Sequence, residues 1–388
     1  VHAVLSNPIM TSRHVDVAII GAGPAGARAA CHLAAAGRKV VVLEAQSLPR
    51  SKPCGGGLVG RASAFLPAGF NLVVERPCHQ ALVGLDGGRL QFTAHRETPI
   101  VNMVMRAAFD QALVEHACSQ GAELMEGCRV EQVEATGRRL LIRSRNESLT
   151  ADWLIAADGV NSRTARSLGW GDGRRLAPAL EWEVPVTPAC LERFPQARFD
   201  FGVPKDGYAW IFPKQSHLSV GLGSMRNRSR HLPQQLRAYL KMHGVEASGP
   251  IHYQGHFIPV SPRKSPLARG RVLLVGDAAG LTDPVTAEGL TFALHSGLLA
   301  AEAIYEAGSG GDAASCYQRL LEQEILPEIR AGLWLAALVY RFPAWRDQLF
   351  RRHGQQFAEA MADLVQGRRS YRAVLARAPF WMKILGLR

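Results

Sequence analysis

A six-residue apolar run, Val15 to Ile20 (VDVAII), is the first clear pattern along the chain. Its β-branched residues and near-continuous apolar character predict a strand buried on both faces, as in a parallel sheet. The turn Gly21-Ala-Gly-Pro-Ala-Gly26 follows, then an alanine-rich stretch to Ala36 that reads as a helix closed by Gly37. Lys39 to Glu44 (KVVVLE) predicts a second strand and completes a β–α–β unit. Pro49 to Gly60 (PRSKPCGGGLVG) is too rich in glycine and proline for a stable helix or strand. Arg106 to Gln120 has the spacing of an amphipathic helix stopped by Gly121. Trp153 to Ala157 and Arg271 to Val275 predict further parallel-type strands, running into Asp158-Gly159 and Gly276-Asp277. From about 175 to 265, short alternating stretches with many prolines and aromatics predict antiparallel sheet. After Pro284 the pattern turns helical to the end, with breaks at Pro327, Pro343 and Pro379.

These elements predict an α/β protein of two interleaved domains and a helical tail. Segments 14–74, 101–174 and 266–310 carry the parallel strands. Segments 75–100 and 175–265 form the antiparallel-sheet domain, and 311–388 is the helical C-terminal region. At 388 residues the chain is long enough to bury a large core without disulfide or metal staples. Apolar residues make up 47% and charged residues 20%, which excludes a mostly disordered or collagen-like chain. No run of 18 apolar residues occurs. The segment VHAVLSNPIMTSRH has no signal-peptide apolar region, so export by the usual route is not expected. The seven cysteines form no CxxC pair, which argues against a zinc site and suits a reducing, cytoplasmic setting.

The chemistry starts at the glycine turn. GxGxxG between a strand and a helix lets backbone N–H groups meet a pyrophosphate at the helix N-terminus. Gly21 makes the tight turn, Gly23 permits close approach and Gly26 lets helix and strand pack. Glu44, at the end of the second strand, stands where a carboxylate accepts from ribose hydroxyls. This Rossmann-type reading does not separate NAD from FAD, and a glycine set used only for packing remains the plainer alternative. Three further segments accompany it. Arg106 and Asp110 share one helix face; Asp158 ends a strand in AADGVNSRTAR; Asp277 ends another in VLLVGDAAGLTDPVTAEGL, where it can hold a polyol hydroxyl.

In this order the segments resemble the p-hydroxybenzoate-hydroxylase-like branch of the FAD-dependent glutathione-reductase-like superfamily. Lys52-Pro-Cys54-Gly55-Gly56-Gly57-Leu58 and Gly207-Tyr208-Ala-Trp210-Ile-Phe212-Pro-Lys214 narrow the resemblance to the geranylgeranyl reductase family, over roughly residues 14 to 300. The resemblance implies an FAD-binding domain holding its cofactor through Gly21, Gly23, Ala25, Gly26, Glu44, Gly55, Gly56, Gly57, Arg106, Asp158, Gly276, Asp277, Gly289 and Leu290. It implies saturation of prenyl-chain double bonds by hydride from reduced flavin, with NADPH or a ferredoxin-like carrier as external reductant. Aromatic hydroxylases and flavin halogenases are the neighbouring alternatives.

An isolated alkene needs a proton as well as a hydride, and so an acid in a dry cavity. Cys54 and Tyr208 are the candidates. Tyr208, Trp210 and Phe212 alternate along one strand face and suit a prenyl tunnel, or an ordinary aromatic core. Glu288 reads as a first-turn helix acid. His217, His252 and His256 have no carboxylate at suggestive spacing and read as structural or exposed.

Net charge is +12, and from Leu326 to Arg388 eleven Lys/Arg face four Asp/Glu. No motif supports nucleic-acid binding. Trp334, Trp345 and Trp381 among arginines suit peripheral contact with the inner face of a membrane; helices packed on the flavin domain with arginines outward are the alternative.

Overall fold

The computed structural model describes residues 13–226, 230–308 and 310–376. Strand β1 (Arg13–Ile20), helix α1 (Pro24–Ala35) and β2 (Val40–Leu43) form the opening β–α–β unit. Then come β3 (Gly57–Val59), β4 (Arg76–Cys78), β5 (Gln80–Leu85), β6 (Leu90–His95), β7 (Val101–Met103), α2 (Arg106–Ser119), β8 (Glu123–Met125), β9 (Val130–Thr136), β10 (Arg139–Ser144) and β11 (Ser148–Ala156). After α3 (Arg163–Ser167), β12 (Leu176–Pro185), α4 (Pro188–Glu192), β13 (Ala197–Phe201), β14 (Gly207–Pro213), β15 (His217–Ser224), α5 (Leu232–Met242) and β16 (His252–Pro259) follow. The chain closes with β17 (Ala268–Arg269), β18 (Val272–Leu274), α6 (Gly276–Ala279), α7 (Leu290–Ala307), α8 (Ala313–Glu324), α9 (Leu326–Arg341), α10 (Pro343–Val365) and α11 (Tyr371–Ala376).

One sheet runs β17-β18-β11-β1-β2-β8, with the β9–β10 meander attached to β11. Its centre is parallel: β1 pairs with β2 and β11, and β11 pairs with β18. Val17, Ala18, Ile19 and all four residues of β2 are buried, as strands covered by helices must be. Helices α1 and α7 cross at close range there. A Cβ on Gly297 would stand 2.2 Å from the Ala25 carbonyl oxygen, so only glycine allows the approach. The second sheet runs β16-β12-β15-β14-β13-β5-β6. It is antiparallel as expected except where β5 lies parallel to β13. Those two strands come from distant segments, and their direction follows from how the chain crosses between sheets, which local alternation does not encode.

One local expectation fails. Gly57–Val59, inside the segment read as neither helix nor strand, forms β3 against β7. Leu58 and Val59 are buried there, and tertiary pairing outweighs the local cost of glycine. The breaks expected at Pro327 and Pro343 are present: α8 ends at Glu324 and α9 at Arg341, and each proline stands in the first turn of the next helix, where a missing N–H costs nothing. Pro379 and Trp381 lie outside the described residues.

The C-terminal helices are part of the body. Helix α10 packs on β5 and β6, where Gly354 leaves room for the Phe92 ring, and Arg96 bridges to Glu359 and Asp363. Arg346 is buried and donates to the Lys205 carbonyl, so this arginine of the basic region does not face solvent. No described helix is long and apolar enough to cross a membrane.

Candidate active site

The phosphate end is built on one turn. Gly21 has φ +104°, and a Cβ there would meet the Ala157 carbonyl oxygen at 2.5 Å. A Cβ on Gly26 would lie 2.0 Å from the Gly21 oxygen. Gly23 caps α1 with no side-chain hydrogen bond, and Pro24 follows in the first turn. The first backbone N–H groups of this 12-residue helix are therefore left for a ligand. Glu44 stands behind the turn: it accepts from Ala22 N at 2.9 Å and Gln46 N at 3.1 Å, and pairs with Arg50 at 3.2 Å. Arg50 also reaches Asp110 at 3.0 Å, and Asp110 holds Arg106 through two bonds of 2.9 Å. This buried chain of alternating charge fixes Arg106 against the cavity. Arg50 has no motif of its own; its basic charge within the glycine-rich segment is the one sign of it in the sequence.

A single large cavity gathers most of the residues singled out by sequence. Gly23, Ala25, Cys54, Gly55, Gly56, Gly57, Arg106, Tyr208, Trp210, Phe212, Gly276, Asp277, Gly289 and Leu290 all line it. Gly21, Gly26, Glu44 and Asp158 stand behind its wall rather than in it. Asp158 accepts from Thr164 N at 3.0 Å through Oδ2, while its buried Oδ1 has no partner. A free helix N-terminus, a fixed arginine and a strand-end aspartate on the wall at Asp277 fit FAD. They would hold its phosphates, ribityl chain and ring edge.

The other side of the cavity is apolar. Tyr208, Trp210 and Phe212 lie along one face of β14, with successive ring centroids 6.0 and 6.2 Å apart. Trp210 packs closely on the neighbouring strand, where a Cβ on Gly221 would stand 2.1 Å from its ring. The Gly55 backbone packs on Trp210 and Phe212, bringing the cysteine loop to the aromatic row. The Tyr208 hydroxyl donates to the Thr286 carbonyl, and burial together with the Asp283 charge pushes its pKa up. It is tied to the turn before α7 and holds its proton tightly. Phe199 and Phe201 of β13, and Ala358, Met361, Ala362 and Val365 of α10, complete this wall. No motif marks these residues. The repeat of small and apolar residues at helical spacing in AEAMADLV is the only sign of them in the sequence.

The cysteine loop rests on buried charge. Lys214, fully buried, donates to the carbonyls of Gly55 at 2.7 Å and Val104 at 3.0 Å, and burial pulls its pKa down. Gly56 N donates to Cys54 Sγ at 3.4 Å, and Cys54 N donates to Glu181 at 2.6 Å. His217 pairs with Glu183 at 2.8 Å, so it has a carboxylate partner after all, on the facing strand, where spacing along the sequence does not reveal it. His256 lines the cavity rather than facing solvent. Glu288 caps the first turn of α7 through Thr291 N at 2.8 Å, as expected, and also meets Arg61 at 3.3 Å. Burial pushes its carboxyl pKa up. The same turn is held by Asp283, which bonds Arg61 and lies 2.9 Å from the Tyr371 hydroxyl of α11.

A family model for the FAD binding domain matches residues 14–315. The chain is 30% identical to the chloroplastic geranylgeranyl diphosphate reductase of Nicotiana tabacum over 336 residues, which is 80% of this chain and 70% of that protein. It is 30% identical to the digeranylgeranylglycerophospholipid reductase of Methanothrix thermoacetophila over 326 residues, 76% of this chain and 79% of that one. Among solved structures, a geranylgeranyl bacteriochlorophyll reductase-like protein from Thermoplasma acidophilum superposes with a TM-score of 0.75 at 22% identity, covering 92% of each chain.

Proposed function

The chain belongs to the geranylgeranyl reductase family of FAD-dependent oxidoreductases, and from that membership and its cavity we propose that it saturates carbon–carbon double bonds of a prenyl chain carried on a lipid, quinone, pigment or diphosphate. The observation that carries this reading is one cavity with two characters. A phosphate-binding turn and Asp277 stand on one side, and an aromatic and aliphatic wall on the other.

Bound and reduced, FAD supplies hydride; the protein's residues do the rest. The α1 N-terminus and Arg106 hold the phosphates. Tyr208, Trp210, Phe212 and the α10 side chains take up the prenyl chain and exclude water, which strengthens every polar interaction inside. Cys54 holds the proton that the alkene requires at its Sγ, on the loop that Lys214 and Glu181 pin against Trp210. The Tyr208 hydroxyl is committed to Thr286, so Tyr208 serves the cavity's shape. The external reductant is NADPH or a small acidic electron carrier, drawn by the net charge of +12. Trp334, 73% exposed, and the exposed Phe342 stand on α9 and at its end beside exposed Arg330 and Arg341, which suits peripheral contact with an anionic membrane holding the substrate.

The test is anaerobic. Protein reduced with dithionite is given geranylgeranyl diphosphate, a prenylquinone or an unsaturated diether phospholipid, and the products are weighed by mass spectrometry. A gain of two mass units per bond, without oxygen, is expected from at least one of them. Lipids that stay unchanged until oxygen or halide is added, and then gain an oxygen or halogen atom, would replace this reading with a hydroxylase or halogenase.

A further inference from the structure

Two carboxyl groups sit side by side on β12, at Glu181 and Glu183, both pointing to the same face of the sheet. Acidic residues rarely occur two apart on a strand buried in this way. Positions two apart on one strand face are neighbours, and two carboxyl groups brought together there are held most favourably by sharing one proton. Glu181 is 5% exposed and lines the cavity. Its Oε2 accepts from Cys54 N at 2.6 Å and its Oε1 from Ser219 Oγ at 2.9 Å. Glu183 lies further out and pairs at 2.8 Å with His217, their side chains 16% and 17% exposed. A file of ionisable groups thus runs from the rim of the sheet to the wall of the cavity, where Glu181 holds the backbone of Cys54.

We propose that the Glu181–Glu183 pair is the proton store of the cavity, returning a proton to the Cys54 thiolate after each double bond is reduced and being refilled from solvent through His217. This inference rests on the prenyl-reductase reading. The Cys54 S–H bond breaks as a C–H bond forms on the substrate, leaving a thiolate. The Glu181 O–H bond then breaks and the thiol re-forms. The Glu181 carboxylate next takes a proton through Glu183 and His217, which balances the protons. The two electrons come from reduced flavin, which NADPH or a small electron carrier restores. Glu181 acts through Cys54, as a positioning and relay residue.

The groups facing Glu181 agree with this assignment. They are Glu183 on its own strand, Lys214 from the turn between β14 and β15, and Cys54 on the loop. His217 and Glu75 stand behind them, and His256 lies on the cavity wall carried by β16. Burial first, and the Glu183 charge second, push the Glu181 pKa up to about 8, so it holds its proton at neutral pH. At Glu183 burial is the largest single influence and pushes the carboxyl up, but His217, the Lys214 charge and Glu181 together draw it down, so the two partners separate into a donor and a conduit.

The test combines a spectrum with a product count. Infrared difference spectra of the purified flavoprotein, recorded from pH 6 to 10, are expected to show a protonated-carboxyl band that titrates near pH 8. The band should be absent in Glu181→Gln. In Glu183→Gln it should persist and titrate at lower pH, since the like charge is gone. In turnover with a substrate of several double bonds, Glu181→Gln should slow the first bond less than the later ones, because the first draws on the proton already on Cys54. Later bonds should slow by about a hundredfold, the low end of what a lost proton-transfer partner costs, so singly reduced product accumulates. A band unchanged in Glu181→Gln, or all bonds slowing equally in a variant that keeps its flavin, would overturn the relay. If wild type reduces no prenyl lipid while the band behaves as described, the prenyl-reductase reading fails and the return of the proton to Cys54 fails with it, while the protonated Glu181 carboxyl remains.

Discussion

The two sides of the cavity are made in opposite ways. The phosphate side is local: a strand, a three-glycine turn and a helix within residues 13–35, closed by an ion chain through Arg50, Asp110 and Arg106. The aromatic side is assembled from β13, β14, the cysteine loop and α10, segments more than 300 residues apart at the extremes. The first side relies on backbone groups and fixed charge, and has no room for a side chain at Gly21 or Gly26. The second relies on apolar surface, which many side chains can supply. Binding a common cofactor therefore constrains one side tightly, while the other is free to vary.

That contrast can be broken by substitution. The largest expected effect is Gly26→Val, whose Cβ would meet the Gly21 oxygen at 2.0 Å. The variant should purify colourless, with visible absorbance lost and far-ultraviolet circular dichroism retained. A yellow variant would mean that the glycine turn is dispensable. Cys54→Ala should keep the flavin spectrum and slow alkene reduction by about a hundredfold, as for loss of a general acid. Turnover equal to wild type would remove Cys54 from the chemistry.

A smaller effect is expected at Ala362→Phe. A ring placed on the α10 wall should shift preference toward shorter prenyl chains by roughly tenfold, measured as the ratio of kcat/KM for two chain lengths. Flavin content should not change. If chain-length preference is untouched, α10 is a cover and not a wall of the substrate site. The smallest effect belongs to Trp334→Glu. Sedimentation with anionic vesicles should fall about fivefold, the equivalent of roughly 1 kcal/mol of lost apolar contact. Activity on a short soluble diphosphate should stay the same. Undiminished vesicle binding would place membrane contact elsewhere.

The same contrast separates what is legible in the sequence from what is not. The β–α–β unit, Asp158 and Asp277 are legible because contiguous residues and short-range geometry decide them. The aromatic row is legible because strand alternation places Tyr208, Trp210 and Phe212 together. The rest depends on long-range pairing. The tie of Glu181 to Cys54 spans 127 positions, and that of Tyr371 to Asp283 spans 88. His217 looks unpartnered along the chain because its carboxylate lies on another strand. Strand β3 is hidden because β7, its pairing partner, lies more than 40 residues on. The parallel β5–β13 pair is hidden for the same reason. The charged tail misleads in one respect: Arg346, one of the cations expected at the surface, is folded into the body.

The most direct measurement is anaerobic stopped-flow spectroscopy of the flavin. Fully reduced protein is mixed with a prenyl substrate carrying a known number of double bonds, and recovery of the oxidised flavin band is followed without oxygen. If one cavity joins cofactor and chain, the band should recover on mixing, one flavin reoxidised per double bond lost. A flavin that stays bleached with every prenyl lipid, and recovers only when oxygen is admitted, would contradict it.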